Sequence, residues 1–163
     1  MRTKSRKPLA LAGAGTTIAL VAATVALATP PSGETHTPLA RGALIAPTNI
    51  NLKVSGGRVG IKTQGALDAL MLSVTLAPGG NGGWHSHAGP AITIVKEGTL
   101  TIIDAKCKRH DIPAGRAVVN PGSSPSENEN KGTTPVALDV TFLLPHGVMS
   151  PRIDQPAPAG CTA

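Results

Sequence analysis

Residues 79–98, GGNGGWHSHAGPAITIVKEG, constrain the fold of this chain more than any other stretch. Four glycines (Gly79, Gly80, Gly82, Gly83) crowd in front of two histidines spaced one residue apart, His85 and His87. Glycine is the residue of tight approach loops. In an extended strand, positions i and i+2 point to one face. A strand here therefore aims both imidazoles at one spot, which is half of a metal site. Ala91 to Val95 then reads as a strand, Lys96-Glu97-Gly98 as a turn, and Thr99 to Asp104 as the returning strand.

The chain has 163 residues, enough for one domain with its own core. Its formal charge of +6 suggests a polyanionic partner until the charges are located. Arg2, Lys4, Arg6 and Lys7 precede Leu9 to Ala28, a run without charge that ends Ala26-Leu27-Ala28. A basic start, an apolar centre and an Ala-x-Ala end describe a secretory signal over residues 1–28. The alternative is an uncleaved anchor, since the run is near spanning length. Cleavage leaves eleven basic residues against nine acidic ones, a balance that favours no particular partner. The expected location is secreted, or extracytoplasmic, with no membrane contact once the leader is gone.

Cys107 and Cys161 are the only cysteines, and both fall in the exported part, where oxidation is allowed. A disulfide between them is expected, tying the chain's end back onto the domain. The alternative is two separate buried thiols, which is hard to arrange for Cys161 in a Pro-rich tail.

Past the leader, residues 29–40 are mostly Pro, Ser, Gly and Thr, without periodicity, and read as a disordered spacer. Ordered sequence is expected near Arg41, with the domain spanning 41–150. Ile50 to Val54 and Arg58 to Lys62 read as a hairpin about Ser55-Gly56-Gly57. Ala69 to Leu76 alternates, with Leu70, Leu72, Val74 and Leu76 on one face, until Pro78-Gly79-Gly80 stops it. Lys106 to His110 reads as a bend, Ala117 to Val119 as a short strand, and Val136 to Leu144 as the last clear strand. Ser126 to Gly132 is polar. Residues 151–163 read as an irregular strap. No helix pattern stands out past the leader. Roughly eight to ten short strands with turns between them make an all-β antiparallel sandwich or barrel.

Two spaced motifs narrow that choice. Gly79, His85, His87 and Gly98 fit Gly, five residues, His-x-His, three or four residues, Glu, six residues, Gly, with Ala91 at the Glu position, or Ile92 in the looser spacing. Gly115, Pro121 and Asn130 fit Gly, five residues, Pro-x-Gly, two residues, His, three residues, Asn, with Ser123 at the inner Gly and Ser126 at the His. In this the chain resembles the cupin superfamily. The resemblance implies a single antiparallel cupin β-barrel of the jelly-roll, double-stranded β-helix type (RmlC-like). The leader, the HSHAGP segment and the C-terminal Cys are similar to those of small secreted actinobacterial cupins.

Cupins that bind metal use both motif-one histidines, the Glu, and the motif-two His. Carried over by position, only His85 and His87 remain, because Ala91 and Ser126 replace the other two. Two imidazoles and water would hold Zn, Mn, Fe, Ni or Cu weakly or not at all. Glu127, Glu129 and His110 are the candidates for a further ligand. The bland reading leaves the histidines as hydrogen-bonded polar residues in a pocket. Trp84 adjoins them, either shaping a ligand pocket or simply packing. The expected pocket is therefore Trp84, His85, His87 and Ser126.

Other function classes find little support. Trp84 and Phe142 are the only aromatics, which argues against stacked bases and so against nucleic acid. Lys106, Lys108 and Arg109 read as a solvated bend. His36 and His146 have no obvious companions in sequence. No Gly-x-Ser-x-Gly is present to suggest a nucleophilic serine. Two readings remain. One is an exported barrel that binds a small molecule or a loosely held divalent metal. The other is a metal-dependent oxygenase, isomerase or decarboxylase with a non-standard third ligand. The resemblance also accommodates a homodimer, for which the chain shows no specific sign.

Overall fold

The computed structural model describes residues 28–161. Of the expected leader only Ala28 falls within that range, and it bridges Pro156. The described residues form twelve strands and no helix. They are β1 (Ser32–Ala43), β2 (Asn49–Val54), β3 (Gly57–Lys62), β4 (Leu67–Asn81), β5 (His85–His87) and β6 (Ala91–Glu97). Then come β7 (Thr99–Asp104), β8 (Arg109–Pro113), β9 (Ala117–Asn120), β10 (Ser126–Glu129), β11 (Val136–Pro145) and β12 (Arg152–Asp154). Ten strands join one antiparallel sheet that curls into a nearly closed barrel, while β2 and β3 form a separate hairpin.

The core follows from the alternation in β4. Leu70, Leu72, Val74 and Leu76 are all buried and lie opposite Phe142, Val140, Leu138 and Val136 of β11. Between them, Met71 points outward and is 40% exposed. Val95 and Leu100 complete the same cluster from β6 and β7. At about 25 cal/mol per Å² of apolar surface, these facing rows are the main driving force for closure.

Three sequence expectations differ from the structure. Residues 32–40 are not a disordered spacer but the greater part of β1, which pairs antiparallel with β4 from Asn81 to Asp68. Strand structure therefore begins nine residues earlier than Arg41, at Ser32. β1 is an edge strand with an exposed outer side, so it needs no apolar run, and an edge tolerates Pro38. The Pro78-Gly79-Gly80 segment does not stop β4. Gly79 takes a φ of 71°, and the strand bends across to β10, exchanging Gly79 N–H to Asn130 O (3.0 Å) and Asn130 N–H to Gly80 O (2.9 Å). The polar stretch after residue 125 is strand β10, paired with β7. Finally, the strap is not wholly irregular. Its β12 pairs with β5, placing Arg152 opposite His87 and Asp154 opposite His85.

Asn130 explains why the second motif ends in that residue. It is buried, its amide donates to the carbonyls of Leu76, Ala77 and Thr134, and its Oδ1 accepts from Gly132 N–H. It staples the end of β4 to the turn that follows β10. The motif's glycine is supplied one place early, at Gly122 (φ 90°), packed against the Gly89 carbonyl while its own carbonyl accepts from His87 N–H (2.9 Å).

The Cys107–Cys161 disulfide is present and fastens the strap to the β7–β8 turn. Such a bond belongs to an oxidising compartment.

Candidate functional site: the barrel mouth

β5 is only three residues long, yet it is held on both sides, by β12 and by Ser126 of β10. That fixes both imidazoles. Their ring centroids lie 5.0 Å apart with planes tilted by 57°, and His87 meets Phe142 edge to face at 5.1 Å. Both rings open onto a cavity of about 170 Å³ inside the barrel. Its floor is apolar, made of Leu72, Val74, Leu100, Leu138, Val140 and Phe142. Its polar side chains are Glu34, His36, His85, His87, Thr93, Asn120, Asn128, Ser150 and Arg152.

His85 Nδ1 is 2.7 Å from the Gly83 carbonyl. A carbonyl only accepts, so Nδ1 carries the proton and Nε2 keeps its lone pair. Burial lowers the His85 pKa, an effect that hydrogen bond partly offsets and Arg152 reinforces. Burial also pushes His87 down to about 4, with His85 and Arg152 adding to the effect. Both rings are neutral at neutral pH. His87 Nδ1 is buried with no hydrogen-bond partner among the described residues.

The remaining expected site residues scatter. Trp84 is fully buried in the wall and does not line the cavity. Ser126 sits beside His85 in register but opens onto a neighbouring crevice, where its hydroxyl accepts from Asn120. Glu127 and Glu129 alternate with Asn128, so they point away when Asn128 points in. Glu127 is buried there, and burial raises its pKa. Glu129 pairs with Arg109 and Lys131. His110 bonds Asp104 at 3.0 Å, and that contact chiefly holds the Asp104 carboxyl down at about 2. None of the three reaches the histidine pair as a ligand. His146, isolated in sequence, pairs with buried Asp68, which also receives Arg41.

The described residues contain no group of three His, Cys, Asp or Glu side chains able to hold a metal ion. A catalytic metal centre normally takes three protein ligands. Two imidazoles alone fall one protein ligand short of such a centre.

Sequence reasoning missed Glu34, His36, Asn120, Asn128 and Arg152. A signal existed for the first two. Glu34-x-His36 has the same i, i+2 spacing as His85-x-His87, and a strand at 32–40 would have placed both on one face.

A helix-free antiparallel barrel that turns a His-x-His strand into its own mouth defines a cupin-type β-barrel. Residues 72–143 match the family described as Cupin_2, cupin domain. Among solved structures, a cupin domain from Bordetella pertussis Tohama I is 14% identical, with a TM-score of 0.47 over 71% of this chain and 97% of that one. The Cupin_2 domain of an XRE family transcriptional regulator from Enterobacter cloacae is 19% identical, with a TM-score of 0.41 over 47% and 80%. The polyketide cyclase RemF from Streptomyces resistomycificus is 15% identical, with a TM-score of 0.46 over 53% and 59%. Likenesses this distant assign no activity. No curated protein matches the chain.

Proposed function

We propose that this protein is an exported barrel that binds one small organic molecule, and that its histidine pair recognises the ligand by hydrogen bonding. The observation that carries this is the cavity itself. An apolar floor lies beneath two neutral imidazoles, one of which has a buried nitrogen without a partner. A buried polar group left unpaired costs about 1–3 kcal/mol, so a ligand that pairs it gains that much over one that does not. The size also fits, since an engineered apolar cavity of about 150 Å³ takes up benzene.

The test joins two measurements on the purified mature protein. Elemental analysis is expected to find metal well below one atom per chain. Benzyl alcohol, a single ring with one hydroxyl, is expected to raise the melting temperature of the wild type and not of His87→Leu. One tightly held transition metal per chain, lost in His87→Leu, would overturn this reading in favour of a metal-dependent enzyme.

A further inference from the structure

The cavity has a second buried group without a partner, and it lies next to the first. Arg152 Nη2 is buried and unpaired among the described residues. Arg152 stands directly across from His87 in the β12–β5 ladder, and side chains of such a cross-strand pair lie side by side on one face. Its Nε is already committed to Asp154 Oδ1 at 2.6 Å, and Arg152 is one of the residues that line the cavity. Another lining residue carries a third such atom: Glu34 Oε2 is buried without a hydrogen bond, on a side chain only 6% exposed, with His36 Nε2 3.3 Å away.

These three atoms divide the labour. A guanidinium donates and prefers a carboxylate. A carboxylate only accepts, so Glu34 needs a donor and repels a second anion. We infer that the ligand is a small carboxylic acid that also carries a hydroxyl or amino group. Its carboxylate sits on Arg152 Nη2 beside His87, its donor on Glu34, and its apolar remainder on the floor of Leu138, Val140 and Phe142. Arg152 comes from the C-terminal strap and Glu34 from β1, so the two ends of the described chain meet over the ligand.

This rests on the binding reading above, and the experiment separates the two. Calorimetry on the purified protein compares 2-hydroxy-3-methylbutanoate, valine, plain 3-methylbutanoate, 2-hydroxy-3-methylbutanamide and benzyl alcohol. The hydroxy acid is expected to bind at least about tenfold tighter than its amide, the size of one charge-assisted hydrogen bond. It should also bind tighter than the plain acid, and the rank of valine tells an amino from a hydroxyl donor. Arg152→Gln should erase the preference for acid over amide. Glu34→Gln should erase the preference for hydroxy acid over plain acid. The acid-to-amide ratio is read on unmodified protein, so it needs no variant to fold. Equal binding of acid and amide while benzyl alcohol still binds would sink the carboxylate site alone. No binding by any of the five compounds would sink the binding barrel with it.

Discussion

The β4–β11 pair and the β2–β3 hairpin are written in the same code and meet different fates. In β4, Leu70, Leu72, Val74 and Leu76 alternate with smaller or polar residues; in the hairpin, Ile50, Leu52 and Val54 line up beside Val59 and Ile61. The first set is buried against β11, with Leu72 at 7% exposure. The second is open, with Leu52 at 56%, because no other strand among the described residues pairs with the hairpin. Period-2 alternation therefore fixes the strand and its apolar side but not whether anything covers that side. An isolated two-stranded hairpin is marginal in water. Stability should be concentrated in the barrel and nearly absent from residues 49–62.

The largest effect should come from the clamp on the barrel. Replacing both Cys107 and Cys161 by Ser removes a loop closure of 54 residues and is expected to lower stability by about 4 kcal/mol in urea unfolding. A change below about 1 kcal/mol would show that the β12–β5 ladder alone holds the strap. Next, Leu138→Ala should cost about 3 kcal/mol, since its side chain fills the interior opposite Val74.

The pH profile sharpens the contrast further. His87 has a folded pKa of about 4, below its ordinary 6.5, so between those values the unfolded chain binds more protons. Stability should accordingly fall as pH drops from about 6.5 to about 4, by about 2 to 3 kcal/mol from this ring, and His87→Leu should flatten that slope. Below this window Asp68 takes over. His146 and Arg41 hold its carboxyl near 2, so its contribution is present above the ordinary 3.8 and lost as pH falls through 2. A melting temperature constant from pH 7 to 4 in the wild type would contradict the buried, neutral histidines.

Least of all should happen in the hairpin. Leu52→Ala is expected to change stability by no more than about 0.5 kcal/mol. A loss as large as that of Leu138→Ala would mean that another surface covers the hairpin in solution, and native mass spectrometry would then show whether that surface is a second copy.

The same contrast explains what the sequence made legible. Strands with an apolar face, β4, β6, β7 and β11, were readable because one side of each must leave water. β1 and β10 were not. SGETHTPLARGA and SENE carry polar side chains on their cavity face, and no apolar stripe marks them. The site shared that blindness. His85 and His87 could be read from spacing and a glycine loop, whereas Arg152 and Glu34 reach the cavity through pairings with strands far away in sequence. The absent Glu and His of the family's motifs left a gap that sequence could only fill with neighbours such as Glu127 and His110. The structure spends those on the barrel wall and on Asp104 instead.

One consequence follows from where Arg152 sits. The barrel can close around Leu76, Leu138 and Leu144 before its final dozen residues have docked, because none of those core contacts involves them. Recognition would then mature last, after the wall is already standing. A chain that ends after residue 148, with Cys107 replaced by Ser, should therefore keep the barrel core while lacking Arg152.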